Sequence, residues 1–251
     1  MLTPERHRII LDVLAQNEVA KIQDFVDATS SSESTIRRDL SQLEEEGKLK
    51  RVHGGASLLL QKRSEPSYTE KSTKNHAEKE RIAKYAASLI RNGDCIYLDA
   101  GTTTNKMIPY IGSMEVTVVT NGVMLLDALL EHNIESYLIG GLIKNKTKAL
   151  IGSGALEGLR RYRFDKCFLG INGIHPDYGF TTPDPEEAAV KRLALQLSQS
   201  RFVLADDSKF NEITFAKISD IDKAIIITNK IEQDLLIEFK DKTNIKVVDT
   251  E

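Results

Sequence analysis

Tryptophan is absent from the 251 residues, and cysteine occurs only twice, at Cys95 and Cys167. Two isolated cysteines exclude a disulfide framework and a CxxC metal site. Each lies in an apolar strand-like run (CIYLDA, KCFLG), so both are expected as core thiols. No hydrophobic run approaches about 18 uninterrupted residues, and the opening MLTPERHR leads into an amphipathic pattern without an apolar signal region. A cytoplasmic chain with no membrane partner is therefore expected. With 6 Pro and 15 Gly the chain is neither collagenous nor of low complexity. No cluster with metal-ligand spacing is visible, so neither a metal nor a cofactor is expected. A net charge of -3 argues against non-specific coating of nucleic acid.

The length suits one large domain or two unequal ones, and the pattern favours two. Thr3 can cap a helix, Pro4 suits its first position, and Glu5 complements its positive end. Ile9, Ile10, Val13 and Leu14 then make a one-sided helix. A second short helix fits Ile22, Phe25 and Val26, and Thr29 to Ser32 separate it from a third carrying Ile36, Leu40 and Leu43. Gly47 stands where a left-handed C-cap belongs, and KLKRVHGGAS reads as a strand pair turned at Gly54-Gly55. This is the outline of a winged helix-turn-helix over residues 1–57. Residues 58–76 lose periodicity and mix Ser, Thr, Pro and charge, which suits a linker. From residue 77 to 251, helices alternate with runs such as CIYLDAG, VTVVTNG, DKCFLGING, RFVLAD and KAIIITN. Strands apolar on both faces between amphipathic helices indicate an α/β domain with a buried, mostly parallel sheet.

With Ile36, Leu40 and Leu43 turned to the core, a spacing of about 100° per residue puts Ser34, Arg38 and Ser41 on the opposite face of the third helix, flanked by Thr35 and Arg37. In a helix-turn-helix the second helix of the motif enters the major groove while nearby hydroxyls and cations hold phosphates. Arg38 is the residue expected to read bases; Arg37, Lys48, Lys50, Arg51 and His53 would supply backbone affinity. His53 serves equally as a wing phosphate contact or a turn residue. Asp39 falls near the apolar edge and is expected to pair with an arginine. Residues 47–63 carry five basic groups (Lys48, Lys50, Arg51, Lys62, Arg63) and no acid, so any DNA site is a focused patch.

The joined pattern Thr35-Ile36-Arg37-Arg38-Asp39-Leu40, Leu43, Gly47, Leu49, Arg51 and His53-Gly54-Gly55-Ala56 resembles the DNA-binding domain of the DeoR family of bacterial transcriptional regulators. That resemblance covers about residues 3–57 and implies operator DNA as partner and a homo-oligomer, dimer or tetramer.

In the second domain, the run Cys95 to Asp99 reads as a buried strand followed by Ala100-Gly101-Thr102-Thr103-Thr104, a glycine turn with a hydroxyl-rich helix start. Free backbone N–H groups there form an anion cradle. Thr120-Asn121-Gly122 and Gly140-Gly141 repeat the theme at other strand ends, and in an open parallel sheet these gather along the carboxyl edge. Tight strand-to-helix turns alone account for any one of these loops. Pro109 requires the helix after Thr104 to be short or kinked.

The stretches Gly170-Ile171-Asn172-Gly173, Gly179 to Glu187 and Asp206 to Phe210 resemble the sensor domain of the same family, a domain similar in fold to ribose 5-phosphate isomerase. This resemblance implies a phosphorylated sugar as effector. By it, Asp99, Gly101, Thr102, Thr103 and Thr104 cradle the phosphate. Asn121 and Asn172 reach sugar hydroxyls beside Gly122, Gly141 and Gly173, and Lys209 adds positive charge. Glu186 or Glu187 binds hydroxyls or merely begins the helix after Pro185. The stretch TTPDPEEAAVKR resembles regulators of fructose-utilisation operons, which implies a repressor responding to fructose 1-phosphate; a lactose or tagatose-pathway phosphosugar is the substitute. A sugar-phosphate isomerase-like enzyme with an accessory DNA-binding head is the alternative of another class. It would need a carboxylate base and a cation, for which Asp99, Glu186 and Lys209 are candidates. The glycine-rich segment with a catalytic lysine is missing where HPDYGFTTPDPEEA stands, so no enzyme is expected.

Overall fold

The computed structural model describes residues 2–17, 19–46, 48–52, 54–58, 65–239 and 241–248. The chain divides into two compact units, Met1–Lys62 and Arg63–Glu251.

In the first unit α1 (Thr3–Asn17), β1 (Val19–Lys21), α2 (Ile22–Thr29) and α3 (Glu33–Glu45) precede a wing of β2 (Leu49–Val52) and β3 (Gly55–Leu58). The apolar stripes close on one core of Ile10, Leu14, Phe25, Ile36, Leu40 and Leu43. Ser30 takes a left-handed conformation (φ 50°) to end α2, and Ser32 caps α3 by accepting from the Thr35 amide. The three strands form an antiparallel sheet in the order β1-β3-β2, one strand more than the sequence suggests. The turn also falls one residue earlier than expected, because Gly55 is already in β3 opposite Val52. Gly55 is required there: a Cβ would sit 2.0 Å from the Ala20 carbonyl oxygen on β1. Gly47 and His53 lie outside the described residues.

Asp39, buried on α3, accepts from both Nε and Nη2 of Arg6 on α1, the latter at 2.9 Å, and His7 Nε2 lies 3.3 Å away. Burial disfavours the carboxylate, but Arg6 and then His7 outweigh it and hold the pKa below its ordinary value of 3.8. A carboxylate depressed by folding contributes stability that is present above its unfolded pKa and lost as pH falls through the folded one. The protection factors of the α3 amides should therefore fall below about pH 4. In Arg6→Met the protection should be low already at pH 7 and nearly flat on acidification; an unchanged acid profile would assign the stability elsewhere.

The second unit begins with α4 (Tyr68–Thr73) and α5 (His76–Ser88), followed by β4 (Cys95–Leu98), α6 (Thr102–Asn105), α7 (Ile108–Ile111) and β5 (Thr117–Thr120). Next come α8 (Leu126–Glu131), β6 (Glu135–Leu138), the hairpin β7 (Leu142–Lys144) and β8 (Ala149–Ile151), α9 (Gly152–Leu159) and β9 (Phe164–Gly170). The remainder is β10 (Gly173–His175), β11 (Gly179–Thr182), α10 (Pro185–Gln196), β12 (Ser198–Leu204), β13 (Ala216–Ser219), β14 (Ile225–Thr228), α11 (Gln233–Phe239) and β15 (Ile245–Val247). Seven strands form a parallel sheet in the order β15-β14-β12-β9-β4-β5-β6, with a separate three-stranded sheet β10-β11-β13. From β4 the chain winds one way through β5 and β6, then the other way through β9, β12, β14 and β15. The strand order thus reverses between β4 and β9, the place where an open α/β sheet binds ligands at its carboxyl edge.

Two expectations are corrected. Residues 65–76 are not a linker, since they form α4 and enter α5 within the second unit. Cys95 is exposed at the start of its strand, whereas Cys167 is buried and its thiol is pushed up to about 11 by that burial. The break required by Pro109 is present as two short helices, α6 and α7. Among the described residues no helix is long and apolar enough to cross a membrane.

Candidate functional site

On α3 the structure exposes Ser34, Arg37 and Arg38 and half-buries Thr35 and Ser41, as the helical spacing requires. At the helix start the Ser32 hydroxyl lies 3.0 Å from that of Ser34 and 2.8 Å from that of Thr35. Arg37 is tied to Glu33 one turn back at 2.6 Å. Arg51 donates to Ser41 Oγ (2.9 Å), and its amide donates to Glu44 (2.7 Å), which joins the wing to α3. Lys48 pairs with Glu46 at 2.8 Å. The side chains of Arg38 and Lys50 are exposed and have no partner among the described residues. Exposed pairs such as Arg37–Glu33 contribute about 0–1 kcal/mol, so a phosphate can displace them. The arginine that pairs with Asp39 is Arg6 on α1, which leaves Arg38 out of that pair.

In the second unit the carboxyl ends of β4 and β9 meet at Asp99. Its buried carboxylate accepts from the Gly170 amide (2.9 Å), the Thr104 hydroxyl (3.0 Å) and the ammonium of Lys191 on α10. Burial disfavours the Lys191 ammonium, but Asp99 and Glu187 more than offset it and keep its pKa above the ordinary value. One turn away on α10, Glu187 accepts from Thr147 (2.5 Å) and Lys144 (3.1 Å). Lys144 also meets Asp184 (2.9 Å) and Glu65, and Glu65 lies 3.3 Å from Lys71. The crevice floor is thus a lattice of opposite charges rather than a cationic bowl. Beside it, burial pulls the Lys79 ammonium down to about 8, against the attraction of Asp206 and with the repulsion of Lys209 and Lys106.

Residues 6–62 match the DeoR-like helix-turn-helix domain, and residues 74–230 match the DeoR C terminal sensor domain. The chain belongs to the DeoR family. This DeoR-family chain is 52% identical, over 99% of both chains, to an uncharacterized HTH-type transcriptional regulator, FruR, of Bacillus subtilis (strain 168). It is 33% identical to the HTH-type transcriptional repressor GlcR of the same organism, over 100% of this chain and 98% of the relative. Among solved structures it is similar to ribose 5-phosphate isomerase A from Neisseria gonorrhoeae, with 14% identity, a TM-score of 0.40, and coverage of 53% of this chain and 52% of the other. The two relatives are transcriptional regulators and not enzymes, so the isomerase-like alternative is set aside.

Within this DeoR-family fold, the expected effector residues separate into three groups. Thr102 and Thr103 hold hydroxyls and first-turn amides that no other group among the described residues engages. Asp99, Gly101 and Thr104 are present at the crevice but bonded to one another: the Thr104 hydroxyl accepts from the Gly101 amide (3.1 Å) and lies 2.9 Å from the Asp99 carbonyl. They shape the cradle from beneath rather than offering polar atoms to a ligand. The remaining residues have other partners or packing roles in this structure. Both ends of the buried Asn121 amide are consumed, one by Tyr97 Oη (2.8 Å) and the other by the Leu150 carbonyl (3.1 Å). Asn172 Oδ1 accepts from Thr182 (3.0 Å). Gly122, Gly141 and Gly173 permit close backbone packing, since a Cβ on each would fall within 2.9 Å of Ala100, Ile151 and Glu212 respectively. Glu186 is exposed and its amide is capped by Asp184 (2.8 Å), and among the described residues Lys209 reaches Ser208 (3.0 Å).

Sequence reasoning missed Lys191, Lys144, Glu65, Lys71, Tyr68 and Asn105. For Lys191 a signal existed: Glu187 and Lys191 stand four apart on the stripe of α10 that also carries the buried Ala188 and Ala194. Charges on a buried stripe mark a buried pair. Asn105 Nδ2 donates to Tyr68 Oη (2.8 Å), while its buried Oδ1 has no partner among the described residues.

Proposed function

We propose that this chain represses a sugar-utilisation operon, with α3 reading the operator and a phosphorylated sugar controlling DNA binding from the crevice between β4 and β9. The observation that carries the effector half is Asn105. A buried amide end without a partner costs about 1–3 kcal/mol, and either orientation of the amide leaves one end unmet beside Tyr68. A ligand hydroxyl in the crevice would satisfy it, while the adjoining free amides and hydroxyls of Thr102 and Thr103 would receive the phosphate. Fructose 1-phosphate is the first candidate, on the resemblance of residues 181–192 to fructose-operon regulators. Two or more chains would meet operator half-sites together, and the sugar acts by preferring one of the two arrangements of the assembly.

A thermal-shift series over phosphorylated sugars tests this. At about 100 times its Kd, the effector should stabilise the second unit by about 2.7 kcal/mol. Asn105→Ala and Thr102→Ala should each weaken that response without weakening sugar-free binding to operator DNA. Equal affinity in both variants would remove the crevice from the account; a response to a lactose or tagatose-pathway phosphosugar instead would change the effector and keep the site.

A further inference from the structure

We infer that the opposite edge of the second unit carries an additional anion site, which takes a small phosphorylated ligand and is separate from the crevice at Asp99. A cavity of about 420 Å³ opens between α10, β12 and β13, within the usual range for small-molecule sites. Its lining includes the cations Arg192, Arg201, Lys217 and Lys223 against the single carboxylate of Asp220, over an apolar patch of Leu195 and Ile218. A second cavity of about 650 Å³ adjoins it and shares Arg201 and Lys223.

The two arginines decide the chemistry. Arg192 donates Nε to the Ile218 carbonyl (2.9 Å) and Nη2 to the Lys217 carbonyl (2.6 Å), and Arg201 donates Nε to the Ser198 carbonyl (3.2 Å). Carbonyl oxygens orient a guanidinium without cancelling its charge. Arg192 Nη1 and both terminal nitrogens of Arg201 have no partner among the described residues. The lysines, by contrast, are paired at the surface, Lys217 with Asp220 (2.5 Å) and Lys223 with Asp222 (2.7 Å). Two braced, uncompensated guanidinium groups over a concave surface form a fork for phosphate oxygens.

The position separates this site from the crevice. Arg201 stands at the middle of β12, three residues before its carboxyl end, and Lys223 just before β14, whereas Asp99 and Gly170 stand at the carboxyl ends of β4 and β9. One element serves both: α10 presents Glu187 and Lys191 to the crevice and Arg192 and Leu195 to the cavity. A ligand bound at this edge therefore presses on the helix that holds Asp99.

Calorimetric titration of the full chain with inorganic pyrophosphate, and separately with inorganic phosphate, tests the site. Saturable pyrophosphate binding is expected, weakened about tenfold or more by Arg201→Gln and again by the surface variant Lys223→Gln. Thr102→Ala and Arg38→Ala should leave it unchanged, which keeps this test apart from the effector crevice and the DNA-reading head. Absence of saturable binding at millimolar pyrophosphate overturns the inference. So does binding that survives Arg201→Gln and Lys223→Gln with wild-type melting behaviour, or that disappears with Thr102→Ala or Arg38→Ala.

Discussion

Arg38→Ala is expected to reduce the preference of the protein for its operator over a scrambled duplex by about 5- to 150-fold, the equivalent of one bidentate arginine–guanine contact at about 1–3 kcal/mol. The side chain is exposed on the outward face of α3 and has no partner among the described residues. Its removal therefore opens no cavity and strands no buried charge. The head should unfold as before, because Ile36, Leu40 and Leu43 still pack and Arg6 still holds Asp39. Lys50→Ala provides the contrast. A cation that meets phosphate weakens binding to all sequences alike and lowers the salt dependence by about one counterion. Competition binding at two salt concentrations separates these outcomes. An unchanged specificity ratio in Arg38→Ala would move base reading to another residue.

Lys191→Met should produce the largest loss of stability in the second unit, about 3–5 kcal/mol, because it leaves the buried carboxylate of Asp99 without its cation. For a unit of this size that corresponds to a fall in melting temperature of about 6–20 °C. The Gly170 amide and the Thr104 hydroxyl remain as donors to Asp99 and do not replace a charge. Adding Asp99→Asn to Lys191→Met should recover part of the loss, since removal of both charges abolishes the stranded ion. Strict additivity of the two substitutions, or a single-variant loss below about 0.5 kcal/mol, would show that the pair does not carry the join between β4, β9 and α10.

Much of the architecture was legible because it rests on local periodicity. Five strands of the parallel sheet, β4, β5, β9, β12 and β14, coincide with apolar runs flanked by turn residues, and the outward face of α3 follows from its helical spacing. The smaller strands were less legible. β10, β11 and β13 have only three or four residues each, and the pairing of β11 with β13 joins segments about 34 to 39 residues apart. Residues 65–76 read as a linker because they carry no apolar stripe; their order comes from polar contacts such as the Tyr68 amide to the Lys146 carbonyl (2.9 Å) and Glu65 to Lys71.

The candidate crevice illustrates the same division. Sequence pattern alone determined that glycine and threonine turns gather at strand ends, and that the third helix carries an arginine on its free face. Only the tertiary structure decided which of those polar groups remain available. Asn121 is consumed by Tyr97, 24 positions before it, while Asn105 keeps an unmet end, and Asp99 finds Lys191 across 92 positions. The physical reason is that helix and strand periods are set by the nearest few residues. Hydrogen-bond and charge partners are set by the order in which strands lie side by side, here by the placement of β4 between β9 and β5.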